Sequence, residues 1–140
     1  MGRRSVVIEV PGDVDRNLGR NASRELHWST KRRAEAAAKS AAKASAMGVI
    51  GSGRDASDPY FTRKVTVFIT RGKGYGRKTM DPDGLMSALK WHIDGMTAAG
   101  VWRDDSRKWV EYDKPVEVRD PAGVGFIRFQ ITEAEAEAGR

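Results

Sequence analysis

Residues 81–105 read DPDGLMSALKWHIDGMTAAGVWRDD, a stretch that sets carboxylates at both ends of one amphipathic helix. Pro82 has a fixed φ and no N–H, so the helix starts near Asp83 and leaves Asp81 and Asp83 at a loop-to-helix junction. From Leu85 the apolar residues recur at Leu89, Ile93 and Met96, steps of four, four and three, the stripe of a helix packed on a core. Gly100 is the expected C-terminal stop. At about 100° per residue, Lys90 and Asp94 fall within roughly 20° of Asp83, away from that stripe. Val101 and Trp102 then form a hydrophobic anchor that brings Asp104 and Asp105 back toward the first pair. Converging carboxylates beside a lysine repel one another as a structural motif but suit a hard divalent cation with oxygen ligands, which favours Mg²⁺.

Outward from this stretch, 140 residues with 39% hydrophobic content suffice for one compact domain over 1–140, with 133–140 expected to fray. The absence of cysteine excludes disulfides, thiolate nucleophiles and cysteine-ligated zinc, and suits a cytoplasmic setting. No apolar run approaches a membrane span, and no motif calls for an organic cofactor. The net charge of +6 is unevenly spread: residues 1–80 hold 17 Lys and Arg against 7 Asp and Glu, or +10, while 81–140 hold 8 against 12, or −4. A polyanion-seeking half followed by a localised acidic cluster is the charge plan of a metal-dependent nuclease.

The remaining elements are expected to support the acidic helix. SVVIEV, residues 5–10, reads as a strand ended by Pro11 and Gly12. Residues 13–29 have no period and read as a long loop carrying Arg16, Arg20 and Arg24 toward DNA. The alanine-rich run 30–47 reads as a helix stopped by Gly48, with an alanine face that allows close approach of another helix, within the subunit or across a dimer. Its row of Arg32, Lys39 and Lys43 is a solvated face. KVTVFIT, 64–70, alternates as a strand with Val65, Val67 and Ile69 on its apolar side and runs into RGKGYGRKTM. There Arg71, Lys73, Arg77 and Lys78 are interleaved with glycines and Tyr75, a pattern in which backbone and cations approach phosphates and the ring offers a surface to a base. WVEYDKPVEV and VGFIRFQIT read as two strands of a hairpin, with a bulge or edge at Pro115. The expected fold is α/β (α+β), a mixed sheet of about four strands with two main helices in the order β-α-β-α-β-β.

Other chemistries fit poorly. DPDG lacks the ligand spacing of a calcium loop, His27 and His92 share no zinc spacing, and the serines have no histidine base at a usable interval. GKGYG does not end in Lys-Ser/Thr, so it is not a nucleotide loop.

The order Asp81-x-Asp83 after a basic loop, a helix with Lys90 and Asp94-Gly95-Met96, then Ala99-Gly100-Val101-Trp102-x-Asp104-Asp105, resembles the RusA-type Holliday junction resolvases, small endodeoxyribonucleases of phages and prophages. The resemblance covers 64–132 and, more loosely, the first strand and helix. It implies that Asp81, Asp83 and Asp105 bind Mg²⁺, that Lys90 serves cleavage, and that a homodimer places paired symmetric nicks in a four-way junction. Gly84 stands where the family has asparagine, and the interval from Asp83 to Lys90 is about three residues longer, close to one helical turn. A literal count puts Ser87 at the lysine position. Two other expectations stay open: an architectural DNA-binding protein without catalysis, and a metal nuclease for flaps or forks.

Overall fold

The computed structural model describes residues 3–18 and 28–134. Its strands are β1 (Ser5–Pro11), β2 (Val65–Lys73), β3 (Val110–Tyr112), β4 (Val116–Arg119) and β5 (Phe126–Glu133), and its helices are α1 (Trp28–Ile50), α2 (Pro82–Ala88) and α3 (Lys90–Ala98), with a 3₁₀ turn at Arg16–Leu18. All five strands form one mixed sheet. β5 lies between β1 and β2 and is antiparallel to both, while β3 and β4 share the far edge of β2 and run parallel to it.

The expected terminal hairpin does not form. β5 instead enters the centre of the sheet, where Ile127, Phe129 and Ile131 are fully buried and its backbone is paired on both sides. Residues 110–119 remain at the edge and split in two: three residues, 113–115, face two residues of β2 between the paired positions Val67↔Tyr112 and Thr70↔Val116. That extra residue is a bulge at Pro115, which has no N–H to give to the ladder. Hence there are five strands instead of four.

The acidic helix also divides. Leu89 sits at φ −87°, ψ 0°, and its N–H is shared among the carbonyls of Leu85, Met86 and Ser87, so the helix tightens for one residue and restarts as α3. The apolar stripe survives the break, with Leu85, Leu89, Ile93 and Met96 all buried. Gly100 closes it at φ 81° as expected.

α1 starts at Trp28 and runs through Gly48 to Ile50, because every fourth residue from Ala34 to Ile50 continues one buried row across that glycine. Gly51, at φ 89°, ends it instead. The alanine row meets α3 so closely that a Cβ on Gly95 would lie 2.3 Å from the carbonyl oxygen of Lys39. The close approach expected of the alanine face is therefore made within the subunit, against a glycine that permits backbone contact. Beyond Gly100, Trp102 is buried and its Nε1 donates to Thr97 Oγ1 at 2.7 Å, while Val101 accepts from Phe61 N at 3.0 Å. The anchor thus ties the acidic segment to the lead-in of β2. At the C-terminus Glu133 is held in β5, its Oε1 accepting from Arg4 N at 2.7 Å, so order extends past the point where fraying was expected; residues 135–140 lie outside the described residues.

Candidate active site and nucleic-acid interface

The chain enters α2 through Asp81, which caps it. Its backbone is extended at φ −69°, ψ 160°, Pro82 follows in the first turn, and Oδ1 accepts from Gly84 N at 2.5 Å. A Cβ at position 84 would stand 2.7 Å from that oxygen, so glycine leaves room for the capping carboxylate. The residue that departs from the family pattern is the one against which Asp81 rests.

Acids from both ends of the α2–α3 segment gather around Tyr112 of β3. Asp81 and Asp83 border a cavity of ≈ 530 Å³ together with Tyr112, Asp113 and Lys114. Asp105 borders a second, of ≈ 430 Å³, together with Tyr112, Glu111 and Lys64. Tyr112 belongs to both walls. Its hydroxyl is buried without a hydrogen-bond partner among the described residues, and its ionisation is pushed far up by burial and then by the negative charges of Asp105 and Asp94. Asp94, on α3, therefore belongs to the same acidic surround. No hydrogen bond or ion pair among the described residues holds the side chains of Asp83, Asp94 or Asp105.

The Asp-Asp step divides its labour. Asp104 Oδ1 accepts from Ser106 N at 2.8 Å, and the hydroxyl and N–H of Ser106 hold its carboxyl below the usual range. Asp104 shapes the turn, and the Asp105 carboxylate is left without a hydrogen-bond partner among the described residues. Lys90 opens α3, exposed, with its ammonium 5.1 Å from the centre of the Trp91 ring. Ser87, the other candidate for the lysine position, is exposed in the last turn of α2.

The donor chemistry fits a hard cation, since the cluster offers carboxylate oxygens and three of its members have no competing partner. The assembly is incomplete: among the described residues no three His, Asp or Glu side chains come together as a metal-holding group. Asp81 is engaged at the helix start, and Asp83 and Asp105 flank Tyr112 from different cavities.

The basic loop also differs from its sequence expectation at two residues, Arg71 and Arg77. Arg71, proposed from sequence as a phosphate contact, is 1% exposed. Its Nε donates to Asp13 Oδ1 at 2.7 Å, Nη2 to Asp13 Oδ2 at 3.1 Å, and Nη1 to Glu117 Oε2 at 2.5 Å and to the carbonyl of Lys78 at 3.0 Å. With its guanidinium fork occupied this way, Arg71 is a strut that joins β1's exit, β2 and β4, and its correction from DNA contact to strut follows from those partners. Burial alone would raise the Asp13 carboxyl, but the Arg71 hydrogen bonds and the N–H groups of Gly74 and Val14 outweigh it and hold it below its ordinary range. Glu117 also accepts from Met80 N at 3.2 Å, so the same cluster positions the residue just before Asp81.

Of the other loop cations, Lys78 faces outward, Lys73 is half-buried, and Arg77 turns inward with its side chain 18% exposed. Lys73 donates to Thr79 Oγ1 at 2.9 Å, and Arg77 donates to the Val14 carbonyl and lies 3.6 Å from Asp13. Arg16 joins Arg77 and Lys78 around a cavity of ≈ 430 Å³. Arg20 and Arg24 lie outside the described residues. Asp13 and Glu117 were missed from sequence because one stands in an aperiodic loop and the other alternates on an edge strand, where an acid is ordinarily solvated. Tyr112 had no local signal either, since its meaning comes from which acids pack around it.

A scan against protein-family models and a search of curated proteins each found no match. Among the described residues no helix is long and apolar enough to cross a membrane.

Proposed function

We propose that this chain is a Mg²⁺-dependent, structure-specific endodeoxyribonuclease of the RusA type that resolves four-way DNA junctions as a homodimer by paired nicks. The observation that carries the reading is that Asp81 and Asp83 border one cavity against Tyr112 and Asp105 another, with Asp94 close enough for its charge to act on the Tyr112 hydroxyl. Asp81, Asp83 and Asp105 would hold the ion only after drawing closer together than they stand here, and the ion when bound supplies an acidified water and stabilises charge on the phosphate. Lys73 and Lys78 hold the DNA backbone near the acids, and Lys90 orients the scissile phosphate and offsets its charge. Arg71, Asp13 and Glu117 keep the loop and the approach to Asp81 in place.

A second reading, a junction-binding protein that does not cut, is favoured by the engagement of Asp81 as a helix cap and by the separation of the carboxylates. Labelled four-way junction, flap and matched linear duplex, incubated with Mg²⁺ or EDTA, separate the readings. Symmetric nicks dependent on Mg²⁺ are expected on the junction, whereas binding without nicks supports the second reading and preference for the flap supports a fork nuclease. Asn caps helices as well as Asp, so Asp81→Asn keeps the cap and removes one charge. It is expected to abolish cleavage and retain junction binding; cleavage at the normal rate would remove Asp81 from the site.

A further inference from the structure

Beyond the acids, the tip of the basic loop has a construction that phosphate binding does not require. Tyr75 is 93% exposed and Val124, on the neighbouring β4–β5 loop, is 67% exposed. An aromatic ring held almost wholly in water gains nothing from the fold, and the chain nonetheless fixes the backbone beneath it. Arg77 N donates to the Gly74 carbonyl at 3.2 Å, closing a turn with Tyr75 and Gly76 at its centre, and Gly76 takes φ 74°. Tyr75 N donates across to the Gly123 carbonyl at 2.9 Å, which clasps the two loops together. Each loop is then fastened at its base: Gly74 N donates to the buried carboxylate of Asp13 at 2.9 Å, and Asp120 accepts from Ala122 N and Gly125 N at 3.0 and 2.8 Å.

We infer that Tyr75 and Val124 form a preset apolar tip that enters branched DNA and stacks on an unpaired or unstacked base at the branch. The inference rests on the DNA-binding part of the proposed function and specifies what the protein recognises there. Charge complementarity selects this occupant over an apolar protein surface, because Lys73 and Arg119 share a cavity with Tyr75 and suit the phosphates that flank a base. Aromatic faces stack on any base, and small apolar wedges open base steps that are already weakly stacked, a condition met at a branch and absent from a continuous duplex. A tip held by its own loop also loses little conformational freedom on binding. The consequence is selectivity for branched over linear DNA that does not depend on the carboxylates.

The test uses the full chain in EDTA, so that nothing is cut, with 2-aminopurine placed either at the branch of a four-way junction or in the middle of an arm. Wild-type protein is expected to change emission at the branch and leave the arm probe unchanged. Tyr75→Ala should lower junction affinity roughly 10- to 100-fold, in line with the loss of one stacked base, abolish the branch signal and leave linear-duplex affinity within about twofold. Tyr75→Phe should restore both, because the ring and not the hydroxyl is used. Equal weakening on junction and duplex, or an unchanged branch signal in Tyr75→Ala, overturns the tip and leaves the nuclease reading intact. A change from dimer to monomer in sedimentation of Tyr75→Ala overturns it in favour of a protein contact. Failure of the wild type to bind either DNA overturns both proposals together.

Discussion

Arg71 and Asp81 are ten residues apart and stand in opposite electrostatic settings. Around Arg71 the charges are buried and neutralised, with Asp13 3% exposed, the two ion pairs at 2.7 and 2.5 Å, and the remaining carboxylate oxygens accepting backbone N–H groups. Around Tyr112 carboxylates and the cations Lys64, Arg107 and Lys114 border the same cavities without pairing, and Asp83, Asp94 and Asp105 lack any hydrogen-bond or ion-pair partner among the described residues. The first arrangement stabilises the fold without a ligand. The second gains only when something positive arrives, which is the physical difference between a charged group that supports and one that binds.

The largest effect expected from this contrast belongs to Arg71→Met. Removing the guanidinium leaves Glu117 without a cation and Asp13 with only the 3.6 Å contact of Arg77, and breaking such a buried pair is destabilising by about 3–5 kcal/mol. Urea unfolding followed by tryptophan fluorescence measures it. A loss below about 1 kcal/mol would mean that water reaches the cluster, and the comparison would fail.

His92 sharpens the contrast as a buried titratable group with no counter-charge. Its Nδ1 has no partner among the described residues, and burial pushes its pKa down from 6.5 to about 4. The folded state therefore holds it neutral while the unfolded chain takes up a proton below pH 6.5. Stability contributed by the neutral form is complete above that pH and falls as pH drops toward 4, by roughly 3 kcal/mol if the whole shift is realised. Denaturant midpoints measured between pH 7 and 4 should show this fall, and His92→Leu should flatten it. Asp13 acts in a separate, lower window: its depressed carboxyl stabilises the fold above its unfolded value of 3.8 and loses that contribution only as pH falls through the lower folded value.

Elements whose side chains repeat with a clear period were legible from the sequence. The stripe Leu85, Leu89, Ile93 and Met96, the alternation Val65, Val67 and Ile69, and the Gly100 stop all appear as read. What was not legible depends on partners distant in the chain. Nothing local shows that β5 inserts between β1 and β2 instead of pairing with β4, because Ile127, Phe129 and Ile131 alternate equally well in a hairpin. Likewise Arg71 looks like its neighbours Lys73 and Lys78 until Asp13, 58 residues earlier, is placed against it. The candidate site was legible as a set of acids at two helix ends. That they are arranged around Tyr112, with Asp81 turned into a cap, follows from the path of β3 and from the missing side chain of Gly84.

Tyr112→Phe carries the next effect in size. The hydroxyl is buried and unpaired beside two acids, so the fold holds an unsatisfied polar group that a phenylalanine of the same shape would lack. Stability is expected to rise by about 1 kcal/mol, read as a higher urea midpoint with an unchanged slope. A fall of similar size would reveal a hydrogen bond to that hydroxyl and remove it from the list of groups held ready for a ligand.

The smallest effect in the free protein is expected for Asp83→Asn and Asp105→Asn. Both side chains are exposed and unpartnered, so either substitution should change stability by no more than about 0.5 kcal/mol, with a slight gain where like charges are relieved. The contrast with Arg71→Met is then about sixfold or more for a change of a single charge in each case. Adding Mg²⁺ reverses the ranking at this site, because an ion that binds only the folded protein stabilises it by about 1.4 kcal/mol at ten times its Kd. A thermal shift with Mg²⁺ in the wild type that disappears in both variants, while Arg71→Met retains it, would locate the ion at the acids around Tyr112. An equal shift in all four proteins would place the ion elsewhere, and the unpartnered carboxylates would then lose their claim to metal chemistry.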